Sequence, residues 1–194
     1  MNKDFLVLDL EFTQYTKPVG KPRGFFSEII EIGAVKYSGE TLEIVGKMSN
    51  YVKPHFYPNQ AKEGMDFSMI SDNDLQTAIT FPEMLEKLCQ LYIPNRTYFT
   101  TWGDADYEVL DEGCRRHKIE NPVLYTDCLD MAAWYKWEMD DSYTTGLRNA
   151  IEEQGLTGGM LWHTAYEDAA NTGKLLIKLL NDGWFPEDFL CRDE

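Results

Sequence analysis

Phe5-Leu6-Val7-Leu8-Asp9-Leu10-Glu11-Phe12-Thr13 is the stretch on which the fold of this chain turns. It opens with four apolar residues in a row, the pattern of a strand buried on both faces, and then two acids interrupt it. Side chains alternate along a strand, so residues two apart leave the same face. Asp9 and Glu11 therefore point together at one spot near the strand's C-terminal end. Two anions held that close repel. A divalent cation between them removes the repulsion, and hard ions such as Mg²⁺ prefer oxygen ligands. Acids at strand ends also occur in solvated turns, so the pair gains meaning only if the rest of the chain supplies partners for it.

The 194 residues fit one domain, residues 1–194, large enough to bury a core without staples. The cysteines Cys89, Cys114, Cys128 and Cys191 are scattered, with neither a C-x-x-C pair nor zinc-ligand spacing. They suit a reducing cytosol. The first strand follows Met1-Asn2-Lys3-Asp4 at once, leaving no room for a signal peptide, and no apolar run reaches membrane-spanning length. A soluble, cytoplasmic protein is the expectation. A net charge of −15 gives no broad attraction for nucleic acid, so a polyanionic substrate would need bound cations or a local basic patch.

Thr13 to Ser27 is such a patch in outline: Pro, Gly and polar residues with Lys17, Lys21, Arg23 and no acid, interleaved with Tyr15, Phe25 and Phe26. It could guide a phosphate backbone and stack a base, or it could be an exposed loop kept soluble by its lysines. Glu28 to Tyr37 and Thr41 to Lys53 read as strands joined by a turn at Ser38-Gly39-Glu40, giving an antiparallel meander with the first strand. A short helix is expected at Ser71 to Thr77. Thr80-Phe81-Pro82-Glu83 has capping-box spacing and opens a helix through Tyr92. Arg96 to Trp102 is a fourth strand, Gly103 to His117 a helix, and Val123 to Tyr125 a fifth strand. Helices follow at Asp127 to Glu138, Thr145 to Gln154 and Thr164 to Asn181, the last two stopped by Gly155 and Gly183. The order predicts an α/β fold: a mixed five-stranded sheet, three strands antiparallel and then two parallel, flanked by helices.

Functional groups in such sheets gather at strand C-termini and at the helix starts behind them. Asp106 lies in the first turn of the helix entered from the fourth strand, where an acid also suits the helix dipole; Asp104 is the expected cap and Asp106 would face the sheet. Thr164-Ala165-Tyr166-Glu167 has the spacing of a second capping box. It sets His163 and Asp168 at the two positions where apolar residues normally form a hydrophobic staple. His55 and His117 are read as structural. Four acids and one histidine suggest a pair of divalent ions holding a phosphodiester while a histidine takes a proton from water. Asp9 would bridge both ions, Glu11 and Asp168 would complete one, and Asp106 would act on the second through water.

Asp9-x-Glu11 in Asp-Leu-Glu-Phe-Thr, Trp-Gly-Asp-Ala-Asp106, and His163-x4-Asp168 resemble, in order and approximate spacing, the three motifs of the DEDDh 3′-to-5′ exonucleases of the RNase T and DNA polymerase III epsilon type. The likeness is closest to the branch holding the KapD-like proteins and the histone-mRNA 3′-end exonucleases, through Glu11 to Thr13, Gly24 to Gly33 and Trp102 to Asp106. The resemblance implies an RNase H-like fold, two Mg²⁺ or Mn²⁺ ions, and hydrolysis of single-stranded 3′ ends to nucleoside 5′-monophosphates, RNA more than DNA. It implies Asp9, Glu11, Asp106 and Asp168 as metal ligands, His163 as general base, and Phe12 and Thr13 against the terminal nucleotide. Where the family often has a Leu-Thr-Gly-Ile-like phrase, this chain has Phe67-Ser68-Met69-Ile70-Ser71, with Met69 in place of an apolar base contact. Two other readings stay open: a catalytically silent exonuclease-fold interaction module, like the sporulation-linked KapD relatives, and structural Ca²⁺ binding, for which no EF-hand spacing exists.

Overall fold

The computed structural model of the chain describes residues 2–15, 19–58, 70–139, 145–159 and 162–191. Its centre is a five-stranded sheet in the order β3-β2-β1-β4-β5, from β1 (Asp4–Phe12), β2 (Ile29–Tyr37), β3 (Ile44–Tyr51), β4 (Thr97–Thr101) and β5 (Cys128–Asp130). β1 pairs antiparallel with β2 and parallel with β4, β2 pairs antiparallel with β3, and β4 pairs parallel with β5. This is the expected mixed sheet. β1 is inside it, with a strand on either side and helices packed on both faces, which is why its first residues can be apolar on both faces.

Alternation along β1 divides the core. Leu6, Leu8 and Leu10 pack with Phe81, Met84, Leu85 and Leu88 of helix α2 (Phe81–Leu91) and with Leu110 and Cys114 of α3 (Ala105–His117). Phe5 and Val7 face the other way, onto Trp134 and Tyr135 of α4 (Met131–Glu138), Ile151 of α5 (Leu147–Glu153) and Leu175, Leu176 and Leu179 of α6 (Ala165–Asn181). Asp9 and Glu11 continue this second, odd-numbered series and so project toward α6. Two shorter helices, α1 (Asp72–Gln76) and α7 (Pro186–Leu190), complete the described α-helices. No helix among the described residues is long and apolar enough to cross a membrane.

Several local expectations hold. Thr80 and Glu83 form the capping box of α2, each side chain bonded to the other residue's backbone N–H, and α5 and α6 end before Gly155 and Gly183. Others need correction. The third strand is shorter than Thr41 to Lys53. The fifth does not occupy Val123 to Tyr125: Val123 is a buried core residue outside any strand, Tyr125–Asp127 is one 3₁₀ turn, and β5 begins at Cys128. Asp127 is the cause. Fully buried, its carboxylate accepts bonds from Lys3 Nζ (2.8 Å), Tyr92 Oη (2.6 Å) and the Asn95 N–H (2.7 Å), which holds the chain in a turn until after it. The next helix accordingly starts at Met131 rather than Asp127, capped by Asp130, which accepts the N–H groups of Ala132 and Ala133. Met69, expected at the terminal base, and Lys17 lie outside the described residues.

Candidate active site

β1 delivers Asp9 and Glu11 to the C-terminal end of the sheet, and the first turn of α6 meets them there with Asp168. Oxygen atoms of Asp9, Glu11 and Asp168 lie within 4.8 Å of one another. The approach is close because β2 has no side chain in the way. Gly33 stands opposite Asp9 in the register, and a Cβ at that position would collide with the backbone of Ala165 and Tyr166. The start of α6 therefore rests directly on the sheet.

Asp106 comes from the other side. It is buried in the first turn of α3, and its Oδ1 accepts the N–H of Leu10 (2.9 Å), the residue between the two strand acids. It is outside the trio whose oxygens share one spot, yet its charge acts strongly on Asp9. Asp104 occupies the cap position of α3 without a side-chain capping bond, and stays exposed.

Thr164 is at the cap position of α6, but the expected capping box is not formed: its side chain makes no capping bond. His163, just before it, takes the left-handed backbone conformation (φ 67°), and its N–H points back to Asp168 Oδ2 at 3.0 Å. The staple positions are thus joined by a charge-assisted hydrogen bond rather than by apolar contact. His163 is exposed at the mouth of the cluster, close enough that its charge favours the ionised forms of Glu11 and Asp168.

The electrostatics are those of anions confined together. Burial first, and then the carboxylates of Asp106, Glu11, Asp168 and Glu31, push Asp9 well above its ordinary value. Burial and Asp168 raise Glu11; burial raises Asp168 against the opposing pull of the His163 N–H and imidazole. Asp106 is pushed up to about 7, mainly by burial, despite the N–H bonds it accepts. Asp168 Oδ1 and Glu31 Oε2 are buried without a hydrogen-bond partner among the described residues. Clustered, mutually repelling carboxylates with unsatisfied buried oxygens are the donor set a hard divalent cation requires, so these residues fit one.

With this geometry, the comparison with known proteins is decisive: the RNase_T exonuclease family model matches residues 6–176. The chain belongs to that exonuclease family. Within it, the chain is 34% identical over 184 residues to the probable 3′-5′ exonuclease KapD of Bacillus subtilis, covering 94% of this chain and 87% of that protein. It is 26% identical over 200 residues to ERI1 exoribonuclease 2 of Homo sapiens, covering 92% of this chain but 28% of that protein. The fold is shared with the nuclease domain of 3′hExo, a DEDDh protein solved with bound rAMP, at a TM-score of 0.80 and 24% identity over 94% of both chains.

One residue of this exonuclease domain escaped the motif reading. Glu31 stands opposite Glu11 in the β1–β2 register, is buried, accepts the backbone N–H of Ala165, and is raised to about 7, chiefly by burial. The signal was present, since an acid interrupts the apolar run of β2 as Asp9 interrupts that of β1. Of the two positions expected near a terminal nucleotide, Phe12 is half-buried, while Thr13 is fully buried with its Oγ1 accepting the Glu28 N–H at 2.9 Å.

Proposed function

We propose that residues 1–194 act as one divalent-cation-dependent 3′-to-5′ exonuclease domain that releases nucleoside 5′-monophosphates from single-stranded ends, RNA in preference to DNA. The convergence of Asp9, Glu11 and Asp168 within 4.8 Å, with Asp106 behind and His163 in front, carries this assignment. Asp9, Glu11 and Asp168 would hold one Mg²⁺ or Mn²⁺, and Asp9 with Asp106 would serve a second. Bound there, the ions supply Lewis-acid polarisation of the scissile phosphate and neutralise its charge.

The chain's own groups do the rest. His163, tethered through its N–H to Asp168, presents an imidazole to solvent at the edge of the acids, where it takes the proton of the attacking water. Phe12 offers an apolar face to the terminal nucleotide, and Thr13 fixes the strand exit that carries Phe12. Glu31 and Gly33 seat the start of α6 and thereby set Asp168 and His163 against β1. The preference for RNA is supported by relatives named as exoribonucleases.

The test uses 5′-labelled single strands of RNA and DNA with one sequence, incubated with Mn²⁺ or Mg²⁺. A ladder that shortens one nucleotide at a time from the 3′ end, faster for RNA, abolished by chelator and by Asp9→Asn or Glu11→Gln, is the expected result. Shortening that survives chelator or either substitution contradicts the proposal.

A further inference from the structure

His163 stands in the left-handed backbone region (φ 67°), a conformation that a residue with a side chain keeps only when its surroundings impose it. One constraint is its own N–H bond to Asp168 Oδ2 at 3.0 Å. Asp168 is also a proposed metal ligand, so that bond ties His163 to a carboxylate that a cation would share. A second constraint, independent of the ligands, comes from further along α6.

Asn171 follows Asp168 by three residues, which puts the two on one side of the helix, and it is fully buried. An amide is costly to bury unless it is paired. Its Oδ1 accepts the N–H of Gly159 at 2.9 Å and Lys174 Nζ at 3.1 Å, while Nδ2 has no acceptor among the described residues. Lys174 is on the same helix, so the Gly159 bond is the one that reaches off it, to the segment between α5 and α6 that carries His163. The approach is close. A Cβ at Gly159 would run into the Glu167 carboxylate, and a Cβ at Gly158 would lie 2.5 Å from the indole ring of Trp162, the residue before His163. Arg148 of α5 stands over that ring, 5.7 Å from its centre. The contacts close a circuit: Asn171 holds Gly159, the adjoining Gly158 seats Trp162, Trp162 leads into His163, and His163 bonds back to Asp168.

We infer that Asn171 is a positioning residue for His163: by holding Gly159 on α6, it fixes the segment from which the imidazole is presented to the acid cluster. The inference rests on the exonuclease reading for what the imidazole does there. Asn171 itself reaches neither the acids nor the substrate. Its effect belongs in kcat, because a base displaced by about 1 Å loses rate, up to about a hundredfold, while the groups that bind the ions and the strand stay in place.

The test has one readout that needs no activity and one that does. In the metal-free protein with ¹³C-labelled histidine, the rings of His55, His117 and His163 give separate NMR signals, and His163→Ala assigns the third. Asn171→Ala should move and sharpen the His163 signal toward that of a free histidine and leave the other two alone. Asn171→Asp, which keeps an oxygen for the Gly159 N–H, should hold the wild-type signal. With Mn²⁺ and a 5′-labelled RNA strand, Asn171→Ala should lower kcat about tenfold at unchanged KM and Mn²⁺ affinity. In a His163→Ala background it should lower kcat no further, because the two residues act as one unit. A His163 signal that Asn171→Ala does not move overturns the inference. So does a kcat loss of one factor with and without His163, which is what a general loosening of the fold would give. If Asn171→Ala fails to fold, Gly158→Ala decides in its place: it leaves α6 untouched and must displace Trp162, and an unmoved His163 signal there overturns the inference equally. A wild type that cuts no strand contradicts the exonuclease reading, and the ring signals then decide the positioning role by themselves.

Discussion

Replacing Asp106 by Asn should stabilise the metal-free protein while destroying its chemistry. Asn keeps the oxygen that accepts the Leu10 N–H at 2.9 Å, so the local packing is retained and only the charge is removed. In the folded chain that carboxyl is raised from 3.8 to about 7, chiefly by burial. Between those values the folded state binds a proton that the unfolded state has lost, so the stability of the metal-free protein falls as pH rises through this window. At 1.36 kcal/mol per pH unit, the charge costs about 4 kcal/mol once pH exceeds 7, and nothing below pH 4. Asn avoids this cost. For a domain of this size, the gain corresponds to a rise in melting temperature of about 10 °C at pH 8. Thermal and urea unfolding in excess chelator, at pH 4 and pH 8, measure it directly. Stabilities that converge at pH 4 and separate in favour of Asp106→Asn at pH 8 are expected. A variant no more stable than the wild type at pH 8 would refute the picture of Asp106 as an anion held in the site against its own electrostatics.

Mn²⁺ affinity should climb between pH 6 and pH 8, because Asp9 and Asp106 must release the protons that burial and crowding hold on them; calorimetry that finds a flat affinity over that range contradicts this. His163→Ala should lower turnover by about 10² to 10⁴ with little change in Mn²⁺ affinity, and a large loss of affinity would make the imidazole a ligand instead. Gly33→Ala should destabilise the fold by about 1–3 kcal/mol, since the new methyl group must push the start of α6 off β2, and it should cut turnover with it. A normal melting curve and full activity would show that this contact is slack.

The placement of the candidate acids was largely legible because the chain writes it against its own grain. Acids at Asp9 and Glu11 break a buried strand, and the alternation rule alone places both on the face that α6 covers. The same rule applied to β2 puts Glu31 on that face, but only the register, Glu11 opposite Glu31, shows that the two meet. Register is a long-range fact that no local pattern contains. β5 was misplaced for a related reason. Val123-Leu124-Tyr125 looks more like a strand than Cys128-Leu129-Asp130 does, and what makes the latter a strand is pairing with Phe99 to Thr101 and the ties that Asp127 makes to Lys3, Tyr92 and Asn95. The capping box at Thr80 formed as local spacing predicts, through the reciprocal bonds of Thr80 and Glu83. At Thr164 the backbone of His163 turns into the left-handed region and gives its N–H to Asp168, a bond that local spacing could not announce.

The most direct measurement is a crystal structure of the protein soaked in Mn²⁺, with anomalous diffraction recorded at the manganese edge. A peak among the carboxylates of Asp9, Glu11 and Asp168, at oxygen distances near 2 Å, with a second peak toward Asp106, is the predicted result. Carboxylates that turn apart with no anomalous density between them would contradict it.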